Sequence, residues 1–312
     1  MNRKEKEKQE MNLTLNQFEV LTYIEKKQDE KITQRDISTN CRLTLGNVNK
    51  VLAELQEQEL VKVLDETGYT VTLKGYEWLE PYRVKKAIFM AAGFGSRMVP
   101  VTLNTPKPLI QVHGKKLIET LLDAVLDAGI TDITIVRGYL GEQFDLLKKK
   151  YPMIKFIENP IYNEANNISS AYLVRDMLAN AYVLESDLLL YNKELIRKYE
   201  YTTNYLGMYT DRTDDWCFET KKGYITKVRV GGENVHHMFG ISYWTKEDAA
   251  KMEHDIAKVF QSPGGKERYW DEVALRECID NHKVWVREIG QGEIIEIDTY
   301  NELKQIDSIY DV

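Results

Sequence analysis

Apolar residues at Phe18, Leu21 and Ile24, with Val20 and Tyr23 widening the stripe, recur at helical spacing and predict an amphipathic helix over residues 12–27. Thr33, followed by Asp36, is a helix start, and the short helix it opens ends near Asn40. Thr44 caps a third helix, in which Leu45, Val48, Leu52 and Leu55 follow at spacings of three and four. The period then falls to two. Residues 61–63, a turn from Asp65 to Gly68, and Tyr69, Val71 and Leu73 predict a β-hairpin, and residues 74–80 a short helix before Pro81. Beyond Lys85 the rhythm changes again. The apolar run 87–92 fits a buried parallel strand, followed by a helix over 117–128, a strand over 133–136, a helix over 141–150, a strand over 154–157, a helix over 168–180 and a strand over 181–185. This alternation predicts a doubly wound, Rossmann-like α/β sheet with flanking helices. Near the end, residues 292–299 alternate as a strand, which places Glu296 and Asp298 on one face.

The chain therefore divides into a small unit over 11–84 and a larger one over 86–312. Helix, short helix, helix and hairpin is the order of a winged helix-turn-helix, and the first unit resembles the winged domains of bacterial transcription regulators. That resemblance implies a DNA partner, with the helix from Thr44 in the major groove. Charge weighs against it: residues 1–85 hold 14 basic and 15 acidic side chains, and the third helix offers Asn47, Asn49 and Lys50 beside Glu54 and Glu57. A packing or dimerising module is the competing expectation, and a homodimer belongs with it.

Composition adds limits. The 312 residues are 43% hydrophobic and 29% charged with a net charge of −7, so no global positive field draws the chain to nucleic acid or an anionic membrane. No apolar run approaches the roughly 20 residues that span a bilayer. The charged start, Met1 to Lys8, is not followed by the apolar stretch of a secretory leader, so a cytoplasmic protein is expected. Cys41, Cys217 and Cys278 lie far apart in no metal-ligand spacing, which fits free thiols in a reducing cytosol. His236 and His237 are neighbours on a strand and point to opposite faces, a poor chelate.

Chemistry concentrates after the first strand of the larger unit, in Ala91-Ala92-Gly93-Phe94-Gly95-Ser96-Arg97-Met98-Val99-Pro100-Val101-Thr102-Leu103-Asn104-Thr105-Pro106-Lys107-Pro108. Glycines at the carboxyl end of a strand let backbone N–H groups approach phosphate closely. The stretch lacks the third glycine of a dinucleotide fingerprint and the Gly-Lys-Ser/Thr of a P-loop. What it has is an arginine and, ten residues later, a lysine stiffened between two prolines. A fixed cation beside a phosphate loop is what phosphoryl transfer needs.

This string resembles the N-terminal motif of the nucleotidyltransferases that make sugar nucleotides and CDP-alcohols. The resemblance implies that Ala91, Ala92, Gly93, Gly95 and Ser96 cradle the nucleotide, and that Arg97 neutralises the departing phosphates. It also implies that Lys107 holds the reacting phosphates through the transition state. The strand 182–187 ends in Asp187, a candidate Mg²⁺ ligand at the sheet's carboxyl edge. The family's second metal carboxylate falls on Asp298. After Lys107 the sequence resembles the bacterial phosphocholine cytidylyltransferases, through Asn166-Asn167-Ile168-Ser169-Ser170, Glu185-Ser186-Asp187, Asp215-Trp216, Tyr243-Trp244, Tyr269-Trp270-Asp271 and Glu296-Ile297-Asp298. This implies CTP and phosphocholine as substrates, with Asn167 and Ser169 near the base and ribose. A quaternary ammonium donates no N–H hydrogen bond and is held by aromatic faces, so Trp216, Trp244, Tyr269 and Trp270, with Asp271 and Glu296, are the candidate cage. Three departures stand out. Serine precedes Asp187, Glu185 takes the place of the branch's second acid, and the winged unit is absent from the minimal enzymes. Other readings stay open: a regulator that only senses a ligand, or transfer to 2-aminoethylphosphonate or a sugar 1-phosphate.

Overall fold

The computed structural model describes residues 12–28, 30–64 and 68–311, so the charged N-terminal stretch and the hairpin turn over 65–67 lie outside the described residues. The chain forms two compact units, one running to Arg83 and one from Val84.

In the first unit, α1 (Leu15–Lys26) opens on a capping box between Thr14 and Gln17, and α2 (Gln34–Asn40) on one between Thr33 and Asp36. Thr44 caps α3 (Leu45–Glu57), where its hydroxyl accepts from Asn47. Phe18, Leu21, Ile24, Ile37, Val48, Leu52 and Leu55 are all buried, so the helical stripes meet in one core. β1 (Val61–Leu64) and β2 (Gly68–Val71) pair antiparallel with Val61 opposite Val71. Leu73 is not a strand residue: the Thr72 hydroxyl accepts from the Gly75 N–H at 3.0 Å and starts α4 (Leu73–Leu79), leaving Leu73 85% exposed. A local cap here overrides the alternation that the sequence shows.

In the second unit the parallel strands are β3 (Lys86–Ala91), β4 (Asp132–Arg137), β5 (Lys155–Glu158) and β6 (Ala181–Glu185). The short β7 (Leu188–Leu190) follows. The long arms β8 (Asn204–Lys221) and β9 (Tyr224–Trp244) turn at Lys222 and Gly223, both left-handed. β10 (Trp285–Glu288) and β11 (Ile294–Glu296) close the list. The main sheet has seven strands in the order β8-β10-β9-β6-β3-β4-β5. β3 lies parallel between β6 and β4, while β9 joins β6 antiparallel. Alternate residues of β3 enter opposite faces: Ala87 and Phe89 pack with α5 (Leu117–Asp127), Ile88 and Met90 with α6 (Ile168–Val174) and α7 (Lys246–Gln261). That two-sided burial is why the sequence reads as an uninterrupted apolar run.

Two expected helices change form. Residues 141–149 wind as a 3₁₀ helix, because Gly141, Phe144 and Leu147, spaced by three, all enter the interior. The helix expected to reach residue 180 is α-helical only to Val174 and passes into a 3₁₀ turn over Arg175–Met177, where the Arg175 guanidinium donates to the Tyr172 carbonyl. The last strand also ends early. β11 pairs antiparallel with β7, and the Ile297 N–H donates to the Asp187 carbonyl at 3.3 Å, so Asp298 lies just past the strand. The final helix, α8 (Tyr300–Ile306), begins at a capping box between Thr299 and Glu302. Among the described residues no helix is long and apolar enough to cross a membrane.

The expected aromatic cage is corrected at two positions. Trp244 and Trp270 are both fully buried in the core beneath α7, with ring centroids 6.1 Å apart, and the Trp244 indole N–H donates to Ser242 Oγ at 3.0 Å. An apolar strand end and a buried turn carry these rings inward, where burial of their large apolar area outweighs exposure to a ligand. Trp244→Ala should therefore lower unfolding stability by about 3–5 kcal/mol in urea denaturation; a loss below about 1 kcal/mol would contradict core packing.

Candidate active site

The parallel strands β3 and β6 end side by side, and the chemistry collects beyond their carboxyl ends, where open α/β sheets bind ligands. The loop after β3 turns back at Gly95, whose φ of +67° favours glycine, and a Cβ there would stand 3.1 Å from the Lys107 Cβ. The Thr102 hydroxyl donates to the Gly95 carbonyl at 3.0 Å and closes the loop. Lys107 sits in a 3₁₀ turn between Pro106 and Pro108 and is 8% exposed. Its ammonium donates to Asp187 Oδ2 at 2.9 Å and to Asp298 Oδ1 at 3.0 Å. Arg97 donates to the same Asp298 oxygen at 2.8 Å while 65% of its side chain faces solvent. Burial alone would push the Lys107 ammonium down; Asp187 and Asp298 more than offset it and hold its pKa above the usual lysine value.

Around this bridge lies a cleft of about 530 Å³. Ala91, Ala92, Gly93, Gly95, Ser96, Arg97 and Lys107 line one side, and Asn167 and Ser169 line it further along. The Ser169 hydroxyl donates to the Asn166 carbonyl at 2.7 Å and accepts from Asn159 Nδ2 at 2.9 Å. The same amide reaches the Ser170 hydroxyl at 3.0 Å, which makes a preformed polar wall. Trp216 and Tyr269 also line the cleft and meet edge to face with centroids 5.8 Å apart. Asp271 is 7% exposed and accepts from the Tyr205 hydroxyl at 3.2 Å. Of the four aromatics expected in a cage, the structure brings Trp216 and Tyr269 to the cleft and leaves Trp244 and Trp270 outside its lining.

The carboxylates are more numerous than the sequence reading allowed. Oxygens of Glu185, Asp187 and Glu296 all lie within 4.8 Å of one another. Burial, with Asp187 and Asp271 nearby, pushes the Glu185 carboxyl well above the usual range, and burial, with Asp187 and Glu185, does the same for Glu296. Burial pushes Asp271 up to about 6 against the Tyr205 hydroxyl that donates to it. Asp187 Oδ1 is buried and has no hydrogen-bond partner. A hard-oxygen donor set with an orphaned buried oxygen fits a divalent cation. Asp298, expected as a metal ligand, is engaged by Arg97 and Lys107. Glu296, expected beside the acceptor, belongs to the trio with Asp187.

Sequence reasoning did not assign Asn159, Tyr162, Asp215 or Glu272 to the site, yet all four line the cleft. Asn159 follows β5 directly, so its place beyond the carboxyl end of a parallel strand was a usable signal. Asp215 stands next to Trp216 and Glu272 next to Asp271, and only the bent arm and the turn after Gly265 show that these neighbours share the wall.

The profile of the nucleotidyl transferase family matches residues 86–213, and that of the MarR family matches residues 11–68. A 2-aminoethylphosphonate cytidylyltransferase of Lancefieldella rimae is 34% identical over 232 residues, spanning 72% of this chain and 92% of the relative. A choline-phosphate cytidylyltransferase of Streptococcus pneumoniae is 36% identical over 226 residues, spanning 72% of this chain and 97% of the relative. The solved CTP:phosphocholine cytidylyltransferase of Streptococcus pneumoniae superposes with a TM-score of 0.68 at 34% identity, covering 73% of this chain and 99% of that one. With the glycine loop, Lys107 and the carboxylates gathered at one sheet edge, these matches place the chain in the nucleotidyltransferase family, as a cytidylyltransferase carrying a winged-helix unit.

Proposed function

We propose that the protein transfers CMP from CTP to phosphocholine, releasing CDP-choline and pyrophosphate. The observation that carries this reading is a charge imbalance. Seven acids line the cleft (Glu185, Asp187, Asp215, Asp271, Glu272, Glu296 and Asp298) against two bases, Arg97 and Lys107. A carboxyl taken out of water either keeps a proton or meets a cation, and Glu185, Glu296 and Asp271 are all raised. In this reading the triphosphate and its metal would lie toward Arg97 and Lys107, which leaves Glu185 and Asp271 for a cation on the acceptor. Trp216 and Tyr269 supply the faces on which a quaternary ammonium rests. A hexose phosphate brings hydroxyls but no positive charge to set against these acids.

In the proposed reaction an oxygen of the acceptor phosphate attacks the α-phosphorus in line, one P–O bond forms, and the bond to the β-phosphate breaks. No protein nucleophile is required, because the acceptor is already an anion. Lys107, fixed by its prolines and by burial, holds the reacting oxygens in line, and Arg97 swings from Asp298 to the departing pyrophosphate. Asp187 and Asp298, with Glu296 in reach of Asp187, would hold Mg²⁺, whose charge would neutralise the triphosphate.

One observation favours a second acceptor, 2-aminoethylphosphonate. The cleft wall holds three aromatic rings, Tyr162, Trp216 and Tyr269, against seven carboxylates, and a primary ammonium donates three N–H bonds that carboxylates accept. Pyrophosphate release with CTP and Mg²⁺, across phosphocholine, phosphoethanolamine, 2-aminoethylphosphonate and glucose 1-phosphate, decides between them. Turnover with phosphocholine alone supports the proposal, and turnover elsewhere replaces the acceptor. For the winged-helix unit, exposed Asn47, Asn49 and Lys50 on α3 favour a duplex as partner, while Glu57 opposes it. Salt-dependent anisotropy with a labelled duplex of mixed sequence would support DNA binding, and no binding would leave a packing module.

Lys107→Ala and Asp187→Ala are each expected to lower kcat by at least about 10²-fold, the loss typical of a transition-state charge contact; near-normal kcat in a folded variant would remove that residue from the mechanism. Stripping divalent ions with EDTA should abolish turnover, and added Mg²⁺ should restore it. Trp216→Ala should raise the phosphocholine KM about 5- to 30-fold, the range of a cation–π contact, and an unchanged KM would take Trp216 out of the acceptor site. Asp271, at about 6 in the ligand-free protein, is ionised above that pH and neutral below it. The acceptor KM of Asp271→Asn relative to the unaltered enzyme should therefore be well above one at about pH 7 and approach one near about pH 5. Taking the ratio cancels the acceptor's own ionisation. A ratio that does not change with pH would dismiss Asp271 as the acceptor's counter-ion.

A further inference from the structure

Asn167 stands at the N-terminus of α6, where an asparagine side chain ordinarily accepts a hydrogen bond from a backbone N–H two or three residues on. Here it makes no such cap. Its Oδ1 accepts instead from the backbone N–H of Trp270 at 2.9 Å, 103 positions away in the chain. Its Nδ2 donates to Glu185 Oε1 at 3.3 Å. Asn166 reaches toward the same segment: its backbone N–H donates to the Lys266 carbonyl at 2.8 Å and its Nδ2 to the Glu267 carbonyl at 3.2 Å. The residues gripped in this way carry Tyr269 and Asp271 in the cleft wall, with Trp270 between them anchored in the core. On the other side of Glu185 lies Gly240, where a Cβ would come within 2.7 Å of the Glu185 side chain. The Glu185 carboxylate is thus seated between a residue with no side chain and the Asn167 amide.

We infer that Asn167 is a positioning residue for the acceptor's cationic end, not a nucleotide ligand. It holds the Tyr269–Asp271 wall at a fixed distance from Glu185. The oxygen that would read a base or ribose is committed to Trp270, and the amide nitrogen points one hydrogen at Glu185. This role rests on the acceptor reading given above, because it is the acceptor that contacts the wall Asn167 holds. A wall displaced by a fraction of an ångström weakens every contact it makes.

The test uses the full-length protein with Asn167→Ala, which removes both bonds, and Asn167→Asp, which keeps an oxygen for the Trp270 N–H. In the ligand-free proteins, amide hydrogen exchange over residues 266–271 should quicken at least about 10-fold in Asn167→Ala, remain near that of the unaltered protein in Asn167→Asp, and stay unchanged over residues 91–97. The phosphocholine KM of Asn167→Ala should rise about 10-fold, as expected for the loss of hydrogen bonds near a charged group, while CTP affinity by calorimetry stays within about 2-fold. A drop in CTP affinity with an unmoved acceptor KM would make Asn167 a nucleotide ligand and overturn the inference. Unchanged exchange over 266–271 would overturn it as well. If even the unaltered protein does not turn over phosphocholine, the acceptor reading fails, and the exchange measurement alone decides the role of Asn167.

Discussion

The ammonium of Lys107, buried between Asp187 and Asp298, is the contact on which the arrangement of the larger unit turns. A charge removed from water needs opposite charge at hydrogen-bond distance, and removing one partner leaves the other stranded at a cost of several kcal/mol. The three residues lie 80 and 191 positions apart. The loop after β3, the end of β6 and the end of β11 must therefore converge at one sheet edge. Several local features follow from this. Pro106 and Pro108 limit the backbone freedom of the lysine turn. Gly95 lets the loop pass against the Lys107 stem. The pairing of β7 with β11, only three residues long, brings Asp298 beside Asp187.

The same bridge explains the electrostatics of the cleft. Lys107 neutralises two acids, and Arg97 shares one of them. Lys107 offsets Glu185 and Glu296 only in part, and desolvation, joined by the neighbouring carboxylates, raises Glu185, Glu296 and Asp271 above their usual range. Without cations these carboxyls tend to hold protons; a divalent ion or an organic cation beside them favours the ionised form, and the proposed substrates would bring one of each.

The winged-helix unit obeys different rules. Its helices are specified by caps at Thr14, Thr33 and Thr44 and by short apolar stripes, all local signals. It matches the MarR family while residues 1–85 carry slightly more acid than base. Any grip on DNA would have to come from hydrogen bonds and shape at α3 more than from a broad positive field.

Much of this architecture was legible in the chain. The stripes of α1, α3 and α5, the apolar run of β3 and the loop from Ala91 to Pro108 are local patterns, and local patterns survive folding when no distant contact opposes them. The pattern failed where a competing local cap or burial against a distant segment opposed it. Residues 141–149 wound more tightly because three side chains spaced by three sought the interior, and Leu73 joined a helix because Thr72 capped it. The cage was overcounted for the same reason: an aromatic beside an acid reads alike whether it faces a ligand or the core, and only the placement of β9 and the turn at Trp270 buried Trp244 and Trp270. The sequence by itself determined most of the element types, the glycine loop after β3 and the residue kinds at the site, because each rests on neighbours in the chain. Only the tertiary structure decided which acids crowd together, that Lys107 spans Asp187 and Asp298, and that Asn167 turns away from its own helix to Trp270, because those are distances between segments far apart in sequence and no local pattern encodes them.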